Sequence, residues 1–112
     1  MGCKRMKIAD PIVQKFFKEI GTVKRKIRTA YLFGSRARGT ERPDSDYDLL
    51  LVVGEDFSFS EKDALYDEVM NVLLETGRLV SLKIFKQKDF ERLRDLHTPF
   101  LSRVLKEGVQ VG

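Results

Sequence analysis

Ala30-Tyr31-Leu32-Phe33-Gly34-Ser35-Arg36-Ala37-Arg38-Gly39, followed after a short polar stretch by Ser45-Asp46-Tyr47-Asp48-Leu49-Leu50-Leu51-Val52-Val53, decides how this chain folds. The first apolar run is short and stopped by glycine, which predicts a buried strand ending in a turn. The second is a Leu/Val run closed by Gly54, and its continuous apolarity predicts a central strand buried on both faces. Two aspartates one residue apart open that second strand. Residues i and i+2 of a strand project from one face, roughly 6–7 Å apart, so Asp46 and Asp48 can converge while Tyr47 turns into packing.

Hard oxygen ligands with no neighbouring Cys or His favour Mg²⁺ or Mn²⁺ over zinc, and Mg²⁺ commonly completes its shell with water and substrate phosphates. The Gly34-Ser35 turn is complementary. Gly34 lets backbone approach closely, Ser35 offers a hydroxyl and an N–H, and a helical turn starting there would add a positive pole. Arg36 and Arg38 are the cationic partners at hand. Being i, i+2, they cannot both face a ligand from a helix. Taken singly, a Gly-Ser turn is usually only a turn, and Asp-x-Asp is often a solvated cap. Joined at this spacing, they read as a site for a metal-bound nucleoside triphosphate.

Working outward, Asp10-Pro11 predicts a helix start, with Ile12, Val13, Phe16, Phe17 and Ile20 at helical spacing and Gly21 as its stop or weak point before Ile27. Ser60-Glu61-Lys62-Asp63 predicts a capped helix to Thr76, burying Leu65, Val69, Val72 and Leu73, with Gly77 beyond its end. Leu79 to Phe85 alternates as a strand with one apolar face. Helices over Lys88–Leu96 and from Thr98-Pro99 to Gly108 complete an αβαβαα-like order. The phenylalanines, spread along the chain, are expected in the core, and His97 between two helices as a surface or capping group.

The 112 residues predict a single domain, 1–112, with 1–9 as a flexible tail. Residues 1–45 hold twelve Lys/Arg against four Asp/Glu, and residues 46–112 nine against thirteen. A basic first half suits a polyphosphate or nucleic acid, or is simply a solvated basic face. Cys3 alone excludes an intramolecular disulfide. No run approaches a membrane span, no signal-peptide pattern is seen, and Met6 breaks the myristoylation pattern begun at Gly2, so a cytoplasmic protein is expected.

Gly34-Ser35-x-x-x-Gly39 with Pro43-Asp44-Ser45-Asp46-x-Asp48 resembles the signature of the DNA polymerase β-like nucleotidyltransferase superfamily, especially its minimal nucleotidyltransferases. The resemblance implies an α/β (α+β) fold with an αβαβαβ core, a three-stranded mixed sheet and C-terminal helices. It implies phosphate contacts at Gly34 and Ser35, and metal coordination and catalysis by Asp46 and Asp48. The reaction would be attack of a hydroxyl on the α-phosphorus of a Mg²⁺-bound nucleoside triphosphate, ATP being the expected one. A HEPN-type protein is the implied partner, giving an antitoxin-like role in a toxin–antitoxin pair. A third carboxylate usual in that superfamily aligns with Ser81, and Lys83 would share its face. Three readings stay open: transfer with two carboxylates, substitution by Asp44, or a nucleotide-binding, partner-neutralising module without transfer. A nucleic-acid-binding domain is the remaining rival, and self-association is left open.

Overall fold

Strand β3 (Tyr47–Val53) is the centre of the molecule because both its faces are apolar. The computed structural model describes residues 4–5, 11–33 and 47–111. Around β3 the order is β1 (Lys4–Arg5), α1 (Pro11–Glu19), a 3₁₀ segment (Gly21–Lys26), β2 (Ile27–Phe33), β3, α2 (Phe59–Thr76), β4 (Val80–Lys86), α3 (Gln87–Asp95), α4 (Pro99–Glu107) and β5 (Val109–Gln110). The sheet runs β1-β5-β2-β3-β4, with β2 antiparallel and β4 parallel to β3. The three-stranded mixed sheet that the family resemblance implies is thus its centre, and two-residue strands extend it to five. One of these, Lys4–Arg5, lies within the expected tail and pairs in parallel with β5.

Period-two alternation divides β3 between two cores. Tyr47, Leu49, Leu51 and Val53 pack with Ala30, Leu32, Val80 and Leu82 beneath α1 and α2. Leu50 and Val52 pack with Phe90, Leu101 and Val104 beneath α3 and α4. A one-residue slip would exchange the two sets, so burial on both faces fixes the register.

Helix α1 stops earlier than its apolar spacing predicts. Gly21 adopts φ +60°, which an L side chain rarely takes, and the chain tightens into 3₁₀ geometry before β2. The cap of α2 also differs from expectation: Ser58, not Ser60, is the N-cap. Ser58 Oγ accepts from the Glu61 N–H at 3.1 Å, and Glu61 accepts from the Ser58 N–H at 2.8 Å. Glu61 has the reach for this reciprocal pair, whereas Asp63, one methylene shorter, would have had to serve Ser60. Gly77, at φ +75°, ends the helix with its N–H on the Leu73 carbonyl.

After α4 the chain turns sharply under β2. A Cβ on Gly108 would stand 2.5 Å from the Val104 carbonyl oxygen and 3.2 Å from that of Leu32. Only glycine allows this approach, which delivers Val109 to pair with Leu32 and lets the Val111 N–H donate to Ala30 O at 2.9 Å.

Candidate active site

The second face of the sheet ends in a polar row. Asp48 follows Leu50 and Val52 back along β3, so it belongs to the α3/α4 side and is partly buried. Its cross-strand partner on β2 is Phe33, and its partner on β4 is Ser81. Tyr47, by contrast, is buried in the opposite core, and its N–H donates to Leu79 O at 2.9 Å. The expected division between Tyr47 and Asp48 is therefore present in the structure.

The pairing of Phe33 with Asp48 has a direct consequence. The chain leaves β2 at Phe33 and re-enters the sheet at Tyr47, and both of these residues stand at the end of the sheet that carries Asp48. Gly34, Ser35, Arg36, Arg38 and Asp46, together with Asp44, lie outside the described residues. Of the expected site residues, Asp48 is the one the structure places.

Aromatic side chains floor this end of the second core. Tyr31 stacks on Phe90 with centroids 6.1 Å apart, and Phe33 meets Phe100 edge-to-face at 5.5 Å. These contacts hold α3 and α4 against β2 beside the Asp48 row. They escape sequence reading because nothing local pairs Phe33 with Phe100. The sequence expectation that all phenylalanines are core residues fails at two positions: Phe100 remains 43% exposed and Phe59 77%.

The acids at the far end of β3 have other duties. Glu55 accepts from the Lys88 N–H at 3.0 Å, at the start of α3. Asp56 holds Lys26 at 2.8 Å, and Glu61 lies 3.7 Å from the same ammonium. The Lys26 hydrogen bond draws Asp56 below the ordinary carboxylate range, and Lys26 is raised in turn by Asp56. Glu61 is lowered first by the Ser58 backbone N–H.

Among the described residues no group of three or more His, Cys, Asp or Glu side chains comes together as a metal cluster. Asp48 supplies one hard oxygen donor group, and the position in register with it on β4 carries a hydroxyl rather than an acid. Lys83, two residues on, is exposed opposite Leu50. Among the described residues no helix is long and apolar enough to cross a membrane.

The central strand of this mixed sheet carries Asp48, partly buried and in register with the last residue of β2. The profile of the family described as "Polymerase beta, Nucleotidyltransferase" matches residues 15–111. The chain belongs to this family and is a nucleotidyltransferase. A Methanocaldococcus jannaschii protein, whose name provisionally assigns it protein adenylyltransferase activity, is 33% identical over 101 residues, covering 89% of this chain and 95% of its own length. Among solved structures, one titled as a toxin–antitoxin with AMP-PNP aligns at TM-score 0.54 and 17% identity, over 92% of this chain and 72% of that one. A provisionally named nucleotidyltransferase from Sulfolobus solfataricus aligns at TM-score 0.49 and 20% identity, over 88% and 75%.

Proposed function

We propose that this nucleotidyltransferase moves the nucleotidyl group of a nucleoside triphosphate, with ATP as first choice, onto a hydroxyl of a partner protein. The observation that carries the reading is Asp48, partly buried at the end of the central strand and directly across from the residue preceding Gly34. The name of the M. jannaschii relative supports a protein acceptor, and the toxin–antitoxin title supports a cognate partner. A HEPN-type protein is that partner in our reading, and its neutralisation is the outcome.

In this scheme the acceptor oxygen attacks the α-phosphorus. The bond from α-phosphorus to the bridging oxygen breaks, pyrophosphate departs, and the hydroxyl proton passes to solvent. Gly34 and Ser35 offer N–H and hydroxyl donors to phosphate oxygens, and Arg36 and Arg38 supply positive charge. Asp46 and Asp48 hold Mg²⁺ or Mn²⁺, for which carboxylate oxygens are the fitting donors. A cation held by these carboxylates would supply neutralising charge for the triphosphate and a lowered pKa for an attacking oxygen. The chain's own contribution is position and charge rather than covalent chemistry.

A second reading is favoured by one observation, Ser81 in register with Asp48. With the third acid missing, the domain would bind nucleotide and neutralise its partner without transfer. One assay separates the two. The protein is incubated with α-labelled nucleoside triphosphates, Mg²⁺ and a HEPN-type partner, and label on the partner is measured beside pyrophosphate release. Transfer predicts both, each lost in Asp46→Asn and Asp48→Asn. A neutralised partner that never acquires label sinks the transfer reading and leaves the binding module.

A further inference from the structure

Helix α2 is apolar on two faces, and only one of them meets the core. Leu65, Val69 and Val72 are buried against the sheet. Phe59, Tyr66, Met70 and Leu74 are 77%, 44%, 52% and 76% exposed. Their spacings of seven, four and four positions bring all four onto one stripe of a helix about 27 Å long. Single exposed apolar side chains are ordinary, whereas an aligned ladder marks an interaction surface.

We infer that this stripe docks a helix of a partner protein, one whose apolar ladder is bordered by Lys or Arg. The helical match follows from the spacing, since a ladder at i, i+7, i+11, i+15 is complemented along its length by another helix. The charge follows from Asp63, exposed within the stripe one turn after Phe59, and from Asp67, exposed on its margin, neither in an ion pair among the described residues. Lys62 stands on the opposite margin, at the mouth of a groove of about 410 Å³ between the first turn of α2 and the end of the outer strand β4. A second copy of this chain fits less well. A two-fold axis between Tyr66 and Met70 would set Asp67 of each copy on the same side of the contact, like charge beside like charge. The inference rests on the partner component of the proposed function and leaves nucleotide binding untouched, because the stripe lies on the sheet face opposite Asp48.

The test uses two fluorescent 18-residue amphipathic helical peptides with the same leucine ladder, one bordered by lysines and the other by glutamates. Anisotropy titration against the whole protein should show tighter binding of the lysine peptide, although the protein's net charge of +4 would repel it. Met70→Glu with Leu74→Glu should weaken binding by about tenfold or more. Asp63→Lys with Asp67→Lys should reverse the preference. Absence of binding, equal binding of both peptides, or indifference to Met70→Glu overturns the inference. A concentration-dependent dimer that Met70→Glu dissociates also overturns it, and assigns the stripe to a second copy. Binding of labelled nucleoside triphosphate by the same variants, measured in parallel, stays at the wild-type level, whereas labelling of a partner protein falls together with docking. A lost transfer reading is thereby told apart from a lost docking surface.

Discussion

The two faces of the sheet are built to different ends. The α1/α2 face is apolar along the whole of β3, with Tyr47, Leu49, Leu51 and Val53 all buried. The α3/α4 face is apolar only at Leu50 and Val52, and then gives way to Asp48 beside Ser81. One strand thus serves as structural spine on its odd residues, while its even ones pass from the core positions Leu50 and Val52 to Asp48, the residue the proposed function uses. The contrast shows why polar groups are tolerated there: the larger core carries the fold, leaving the end of the smaller one to Asp48 and Ser81.

The sharpest way to break this contrast is to cut into each face in turn. Phe16 is fully buried in the larger core, and Phe16→Ala should cost about 3–5 kcal/mol in urea unfolding. Leu101→Ala on the smaller face should fall near the low end of its class, about 2 kcal/mol, because fewer neighbours surround the void. Equal losses would mean that the two cores share the load. Asp48→Asn should behave in the opposite manner, lowering nucleotidyl transfer by about 10³-fold, the scale on which charge-stabilising groups act in phosphoryl transfer. Its unfolding midpoint should move far less than that of Phe16→Ala. A stable but fully active Asp48→Asn protein would remove the aspartate from the chemistry.

Much of this division was legible in the sequence, for reasons that differ between residues. The opposed destinations of Tyr47 and Asp48 follow from the two-residue period of a strand, which nothing remote can change once the strand is buried on both faces. Ser81 was singled out by the family resemblance, whereas the alternation of Val80, Leu82 and Ile84 assigns only its face and the register with Asp48 comes from the strand pairing. Strand β5 was not: two residues carry no periodicity, and they become a strand through pairing with β2 on one side and β1 on the other. Phe59 and Phe100 were misjudged for a related reason. Hydrophobicity reports a residue's preference for cover, not whether this chain provides the cover. The glycine-serine segment and Asp46 were readable as a motif, and they lie outside the described residues.

A milder change sharpens the comparison at the row where the two strands meet. Ser81→Asp would set a second carboxylate in register with Asp48. Since affinity for hard divalent cations rises with ligand charge, the Mg²⁺ concentration giving half-maximal transfer should fall by about tenfold. An unchanged metal requirement would show that this position on β4 does not reach the metal, and that Ser81 is no impairment.

The smallest effect belongs to the far end of the first face, where α2 begins. Ser58→Ala removes the acceptor of the Glu61 N–H and should cost about 1 kcal/mol at neutral pH, read from urea midpoints. Glu61 itself makes the cap sensitive to acid. The Ser58 N–H, followed by the Ser58 side chain and the Lys26 charge, holds its carboxyl below the ordinary glutamate value of 4.5, while partial burial and Asp56 oppose them. A carboxylate lowered by folding contributes stability that is present above its unfolded value and is lost as pH falls through the lower, folded one. Asp56, drawn down by Lys26, adds in the same direction over the same acid range. The wild-type urea midpoint should therefore decline below about pH 4.5, and Glu61→Gln should make that decline shallower without changing its sign. An acid slope identical in Glu61→Gln and wild type would mean that the cap holds α2 equally well with the carboxyl protonated, and that Asp56 and Lys26 alone set the pH response of this end of the molecule.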